Sequence, residues 1–389
     1  MLKSYKTEIN PTYSQKQAID RTIGVCRYIY NFFIAHNKKI YETENRYITG
    51  KSFSVWMNNE FIPNHPEYGW IKDVSSKAVK QSIMDADAAF KRFFKHQAEF
   101  PKFKKKGKTD PKMYFVKTDK KAVIHCERHR IKIPTIGWVR LKEKGYIPTE
   151  AERYVIKAGT VSKRAGRYYV SVLIETDEEP ARTALHVEGL GIDLGLKDFA
   201  TLSSGVAYRN INKSSNVKKL EKKLKREQRT LSRKFEAKKQ DKKGGRYSNI
   251  DKQKQKVQRL HQRLANVRTD YLNKCVCEIA KTKPSYITIE NLNVKGMMKN
   301  RHLSKAVANQ RFFEFRKKLH RKCIINGIEL RVVDTWYPSS KTCHECGSLK
   351  KELKLSDRVY RCEHCGAVID RDLNAALNLR DAKVYEVAS

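Results

Sequence analysis

Two five-residue runs do most to limit what this chain can become: Cys343-His344-Glu345-Cys346-Gly347 and Cys362-Glu363-His364-Cys365-Gly366, with fifteen residues between Cys346 and Cys362. A Cys-x-x-Cys pair offers two thiolates from one tight turn, and the glycine after it supplies the backbone freedom the turn needs. Two such pairs at this spacing predict a ribbon over 336–369 in which Cys343, Cys346, Cys362 and Cys365 hold one Zn²⁺. Four thiolates leave no open coordination position, so the metal is expected to be structural. His344 and His364 are alternative ligands, but the regular cysteine pattern leaves them for the surface, and a redox pair is the remaining alternative. The ribbon sits between a strand-like run, IELRVVD, and a helix-like run, DLNAALNLRDA. It is therefore an insertion into a larger unit.

That unit reads from about residue 186. VEGLGIDLGLKDFATLSSGVAYRN gives three strands in a meander. A helical hairpin over 213–282 follows. Its first arm carries Val217, Leu220, Leu224 and Leu231, and its second carries Val257, Leu260, Leu264, Val267 and Tyr271 at alternating three-four spacing, with KKQDKKGGRYSN as the turn. Strand PSYITIENL, a helix around 303–326 and strand IELRVVD complete the set. This order of strands and helices is that of an RNase H-like fold, whose mixed sheet lays its first and fourth strands side by side.

Three carboxylates fall where such a sheet brings them together: Asp193 within GLGIDLGLKDFATL, Glu290 at the end of ITIENL, and Asp372 at the start of the last helix. Hydrolysis of a phosphodiester suits hard oxygen ligands that hold two Mg²⁺ ions, with Mn²⁺ as the substitute, about 3.5–4 Å apart. The glycines around Asp193 are expected to let substrate and metal approach. Asp370 competes with Asp372 for the third position. Asp372 is preferred because it directly precedes the LNAA segment and can point inward. Each acid alone reads equally well as a surface or capping residue, Asp372 as an N-cap in particular. Together, two acids inside apolar strands of a basic chain are hard to explain without a cation, because burying carboxylates is expensive.

The N-terminal half changes texture twice. Residues 15–50 predict a helix capped by Ser14 with Ile19, Ile23, Cys26, Ile29 or Tyr30, and Phe33 on one face. A second helix over about 75–98 shows Val79, Ile83, Ala86 and Phe90, and ends at the basic linker EFPKFKKKGK. From 112 to 176 short alternating runs predict a small β-barrel or sandwich, and DEEPART reads as a linker. Tyr28, Tyr30, Phe32 and Phe33 can stack on bases, although aromatics at helical spacing more often form core. Lys102, Lys104, Lys105 and Lys106 suit phosphates or a flexible linker.

Charge decides the partner class. Lys and Arg number 82 against 42 Asp and Glu, a formal charge of +40. Such an excess repels itself unless a polyanion neutralises it. No stretch approaches the apolar length of a membrane span and the first residues show no apolar signal region, so nucleic acid is the expected partner, with no membrane and an intracellular location. Cys26, Cys126, Cys275, Cys277 and Cys323 then read as reduced thiols.

Taken together, GIDLGLKDFATLSSG, ITIENLNVKGMMKN and the run WYPSSKTCHECGSLKKELKLSDRVYRCEHCGAVIDRDLNAALNL resemble TnpB, the transposon-encoded nucleases related to type V CRISPR effectors. The last run is the most specific, since it joins ribbon and final acid. Weaker likeness extends through CRYIYNFFIAHNKKIY, SSKAVKQSIMDADAAFKRFFK and FPKFKKKGK to nearly the whole chain. The resemblance implies an OB-like β-barrel wedge domain from 1–14 and 111–185, a helical recognition domain at 15–110 inserted in it, and a RuvC nuclease domain at 186–389. It implies a guide RNA from the transposon end, recognition of a short transposon-adjacent motif in double-stranded DNA, and cleavage by one site. It also implies a monomer on one RNA, in a prokaryotic cytoplasm and associated with the nucleoid. Arg301 and His302, beyond strand ITIENL, fit a mobile lid over that site. Lys77 and Gln81, at i and i+4 on one helix face, are implied contacts to the adjacent motif, or else belong to a solvated helix surface.

Three rivals remain from the residues alone. A guided repressor would lack one of the acids. A strand-joining transposase would use the same acids but fits the position of the ribbon less well. A structural RNA-binding protein has no need of carboxylates buried in strands.

Overall fold

The computed structural model describes residues 2–107, 109, 112–117, 124–150, 153–177, 188–240, 248–354 and 357–388. It divides into two compact units, Met1–Glu179 and Pro180–Ser389. Most of the expected linker DEEPART and most of the hairpin turn lie outside the described residues.

The first unit opens with β1 (Leu2–Asn10), α1 (Tyr13–Glu44), α2 (Gly50–Trp56), α3 (Ile62–Asn64) and α4 (Ser76–Phe94). Six strands follow: β2 (Lys112–Val116), β3 (Cys126–Glu127), β4 (Arg130–Ile133), β5 (Gly137–Leu141), β6 (Tyr154–Arg164) and β7 (Arg167–Thr176). With β1 they make one antiparallel sheet, ordered β2-β6-β7-β1-β5-β4-β3. Among the described residues the outer strands β2 and β3 do not pair, so closure into a barrel is not seen there.

Helix α1 starts two residues earlier than its sequence suggests. Thr12, not Ser14, is the cap: its side chain accepts from the Gln15 amide at 3.3 Å, while Gln15 Oε1 accepts from the Thr12 amide at 3.0 Å. This reciprocal box satisfies two donors that a helix start leaves orphaned. The same helix serves two cores. Ile19, Ile23 and Cys26 cover the sheet beside Met113, Phe115 and Val170. One turn further, Ile29, Tyr30 and Phe33 pack with Phe53, Met57, Ile83 and Phe90 into a helical layer. Tyr30 and Phe33 are thus core, and Tyr28 and Phe32 pack at its margin. Lys104 does not lie in a free linker: its Nζ sits 3.6 Å from the Tyr30 ring centre and its backbone is clasped by Asn31.

The second unit contains β8 (Leu190–Leu194), β9 (Asp198–Leu202), β10 (Ala207–Arg209), α5 (Ser215–Gln240), α6 (Ser248–Lys281), β11 (Tyr286–Glu290), α7 (Val294–Met297), α8 (Ser304–Gln310), α9 (Phe312–Asn326) and β12 (Glu329–Val333). After these come the ribbon strands β13 (Val359–Arg361) and β14 (Val368–Asp370), then α10 (Arg371–Arg380) and β15 (Glu386–Val387). The main sheet runs β10-β9-β8-β11-β12-β15, with β8, β11 and β12 parallel and the others antiparallel. The first and fourth strands of the unit, β8 and β11, are neighbours as the element order requires.

The helix expected near 303–326 is two helices. Arg311 breaks it in a left-handed conformation (φ 58°), and its guanidinium donates to Thr269 Oγ1 and Glu314 Oε2. The strand β15, which closes the far edge of the sheet, carries no alternating pattern of its own and is absent from the sequence reading.

Candidate active site and zinc ribbon

Alternation along the strands builds the site. Leu190 and Ile192 of β8, with Ile287 and Ile289 of β11, face the core formed by α6 and α9. In a strand the intervening residues face the other way. Gly191 and Asp193 therefore share the opposite face with Thr288, which pairs with Gly191, and with Glu290, one register step beyond the Ile192–Ile289 pair. Helix α10 covers that face.

Gly191 is what lets α10 approach. A Cβ there would stand 1.8 Å from the Ala376 carbonyl oxygen and 2.5 Å from the Arg380 nitrogen. A Cβ on Gly189 would enter the Tyr286 ring, and one on Gly195 would meet the Asp198 carbonyl at 2.9 Å. The glycines around Asp193 thus serve helix, ring and turn packing, and not the approach of substrate or metal that the sequence suggested.

Asp370 caps α10: its Oδ1 accepts from the amides of Asp372 (2.9 Å) and Leu373 (3.1 Å). Asp372, in the first turn, is not the cap. Its carboxylate is mostly buried, with Arg358 3.7 Å away. Burial pushes the Asp193 carboxyl well above the usual carboxylate range, and the negative charges of Glu290, Asp372 and Asp370 push it further, against a smaller opposing pull from Arg371. Burial also raises Glu290, opposed by a hydrogen bond from Ser339 and by Arg371. The three acids are near enough to repel, yet among the described residues only the four ribbon cysteines bring three or more ligand atoms within 4.8 Å of one another. A cleft of about 310 Å³ opens beside Glu290, lined also by Asn293, Lys295, Phe313 and Arg316.

The ribbon is closely built. Cys343 and Cys365 sulfurs lie 3.7 Å apart, and those of Cys346 and Cys362 lie 3.6 Å apart. Gly347 and Gly366 both adopt φ of +75°, the left-handed turn that each knuckle needs. The Cys365 amide donates to Cys362 Sγ, and such backbone donors pull the Cys362 thiol down to about 6. The cluster fits a zinc site, and neither His344 nor His364 belongs to it.

A polar network missed by the sequence reading ties the ribbon to α10 and to Glu290. Asn378 Nδ2 donates to the carbonyls of Ser339 (2.7 Å) and Thr342 (2.6 Å). Asn374 Nδ2 donates to Thr342 O at 2.7 Å, and its Oδ1 accepts from the His344 amide at 3.0 Å. The Ser339 hydroxyl donates to Glu290 Oε1. The available signal was two asparagines one turn apart in a short helix otherwise rich in Ala and Leu.

In the first unit, Lys77 and Gln81 lie on α4. Lys77 is exposed at the rim of a cleft shared with Arg21, Lys72 and Thr135, while Gln81 is half-buried and donates to Asp85 Oδ1 at 2.8 Å. Arg301 and His302 are exposed between α7 and α8.

Comparison with known proteins follows the same lines. Residues 169–301 match a family model described as "Probable transposase", and residues 312–379 match one described as "Cas12f1-like, TNB domain". Residues 1–46 match a model described as "Helix-turn-helix domain". The structure builds a strand and one continuous helix there, without the second helix and short turn of that motif. The chain is 32% identical to "Putative RNA-guided DNA endonuclease InsQ" of Escherichia coli (strain K12), covering 97% of this chain and 91% of that one. It is 30% identical to a Streptomyces pristinaespiralis protein described as "Putative RNA-guided DNA endonuclease", covering 97% and 88%. A cryo-EM structure of a Cas12f1–sgRNA–target DNA complex shares the fold, with a TM-score of 0.55 at 15% identity over 99% of each chain. The chain belongs to the TnpB family.

Proposed function

We propose that this protein is an RNA-guided DNA endonuclease that cuts through a single RNase H-like (RuvC) carboxylate site. The observation that carries the reading is the acid trio: Asp193 and Glu290 leave adjacent parallel strands on one face, and Asp372 opens the helix covering that face. Holding Asp193 in a buried position with the charges of Glu290 and Asp372 pressing on it is costly unless a cation joins them. Their oxygens are the hard donors that Mg²⁺ or Mn²⁺ prefers. Two such ions, when bound, activate the attacking water and stabilise the leaving oxygen.

The chain's own residues do the rest. Asp193 and Glu290 hold their carboxylates at one level of the sheet, and α10 delivers Asp372 from above. The backbone of α10 is fixed by the Asp370 cap and by its seat on Gly191, so Asp372 does not need to find its position after substrate arrives. The cleft beside Glu290 gives a nucleic-acid strand an approach flanked by Lys295 and Arg316.

In this reading the antiparallel sheet of the first unit is an OB-like wedge (1–14 and 111–185), helices within 15–110 form the recognition domain, and 186–389 is the nuclease. Lys77 and Gln81 reach the bases of the transposon-adjacent motif, with Gln81 released from Asp85. The excess of 40 positive charges neutralises a guide RNA and a DNA target. One chain works on one RNA, in the cytoplasm and beside the nucleoid; no helix of the described residues is long and apolar enough to cross a membrane.

A strand-joining transposase is the second reading, favoured by the description of the model matched at 169–301. Sequencing RNA that copurifies with the protein separates the two. A defined RNA species, with Mg²⁺-dependent cutting of duplex DNA matched to it, is expected. Absence of a defined RNA, together with joining of DNA ends, would replace this reading by the second.

A further inference from the structure

We propose that Ser339, Asn378 and Asn374 are positioning residues that latch the zinc ribbon to the carboxylate site, so that the ribbon sets the rotamer of Glu290 as well as the seat of Asp372. This rests on the endonuclease reading and extends it to residues that touch no substrate.

Ser339 has two jobs in one buried position, being 3% exposed. Its hydroxyl donates to Glu290 Oε1, and its carbonyl accepts from Asn378. Asn378 is bonded at the same time to Thr342, and Asn374 holds Thr342 and the His344 amide. His344 follows Cys343 directly, so the first zinc knuckle is the next link. The Tyr337 hydroxyl returns to the Asn378 carbonyl at 3.1 Å. Asn374 and Asn378 lie one turn apart on α10, whose first turn carries Asp372, and they are 0% and 7% exposed.

Every donor in this set has an acceptor, which a buried asparagine requires. The geometry is therefore specific. The ribbon's entry segment, 337–344, cannot slide along α10 without orphaning two side-chain amides. Glu290 cannot swing without losing the one hydrogen bond fixed by that segment. A carboxylate held through one oxygen keeps its other lone pairs for a cation. Partners behind metal ligands typically change metal affinity or activity by about 10–100-fold when removed.

The test uses full-length protein loaded with its copurified RNA. Four quantities are measured: single-turnover cleavage, affinity for target DNA, zinc content, and Mn²⁺ binding at the acid site by electron paramagnetic resonance. Ser339→Ala is expected to weaken Mn²⁺ binding and slow cleavage by about 10–100-fold, with one zinc and wild-type target affinity retained. Ser339→Thr, which keeps the hydroxyl, is expected to recover most of both. Asn378→Ala should reproduce the Mn²⁺ defect from α10. Wild-type Mn²⁺ affinity and cleavage in both Ser339→Ala and Asn378→Ala, while Glu290→Gln is inactive, would overturn the latch alone. Wild-type cleavage by Glu290→Gln and Asp193→Ala would overturn the endonuclease site itself. A Ser339→Thr protein as impaired as Ser339→Ala, with zinc intact, would also overturn the latch, because the hydroxyl would not be what matters.

Discussion

The ribbon, whose four cysteines fit a zinc ion, and the carboxylate site, proposed above to take Mg²⁺, are built in opposite ways. In the ribbon, each pair of ligands comes from a single four-residue turn, and backbone amides already favour one thiolate. Its four sulfurs are gathered within 4.8 Å. In the carboxylate site, the acids come from β8, β11 and α10, and the charges of Glu290 and Asp372 push the protonation of Asp193 upward. The ribbon is a local structure whose four thiols are already gathered to fit a metal. The acid site is a product of the whole unit, held against its own repulsion. A closed thiolate site can tolerate small movements of its surroundings, whereas a catalytic cluster loses rate with about an ångström of displacement.

The comparison breaks most cleanly at the acids. Asp193→Ala, Glu290→Ala or Asp372→Ala should each lower Mg²⁺-dependent cleavage by about a thousandfold or more. Metal clamps supply several kcal/mol, and each 1.4 kcal/mol or so is tenfold in rate. RNA and target binding, measured by filter retention, should stay near wild type. Cleavage within a few-fold of wild type for any of the three removes that residue from the site.

Cys362→Ser tests whether the local structure matters to the distant one. Zinc analysis should find the metal lost, and cleavage should fall by about a hundredfold as Asp372 and Glu290 lose their frame. A zinc-free protein that still cuts at full rate would show the two regions to be independent.

Gly191→Ala probes the contact between them without touching either. Its Cβ would meet the Ala376 carbonyl at 1.8 Å, so α10 must lift from β8. Thermal unfolding should report about 1–3 kcal/mol of lost stability. Cleavage should fall more than that stability loss explains. Unchanged cleavage would mean that Asp372 can be displaced without harm.

Asp370→Ala should have the smallest effect, about 1 kcal/mol from the lost cap, with cleavage near wild type. If it is inactive while Asp372→Ala cuts normally, the third acid is Asp370.

Legibility followed the same division. The ribbon was readable because ligand spacing is a property of short segments. The meeting of Asp193 and Glu290 on neighbouring strands was readable because an acid inside an apolar strand contradicts its surroundings. The strands, the two hairpin arms and the faces of α1 and α4 followed from periodicity. Other features depended on partners far away in the chain. Gly191 looks like a glycine that opens a site, and only the position of Ala376 shows that it seats a helix. Ser339 lies in an irregular loop, and its meaning comes from Glu290, forty-nine residues earlier. The break at Arg311 is set by acceptors on α6 and by Glu314, not by a glycine or proline. Ser14 is as good a cap by type as Thr12, and Gln15 decided between them by reaching back.

Helix α6 has a mechanical consequence. Its 34 residues extend about 50 Å, and they do so without a break. The outer part, around Gln253 and Val257, is zipped to α5, with Gln253 reaching Glu227. The inner part, Leu272, Cys275, Val276 and Ile279, is the floor beneath the strands that carry Asp193 and Glu290. Near the junction Arg268 clamps Glu221 and Asn212, and Tyr271 is tied to the Arg209 carbonyl. The arrangement is that of a beam set into a wall. A load placed on the projecting arm is not absorbed at a joint, because there is none; it arrives as torque under the sheet.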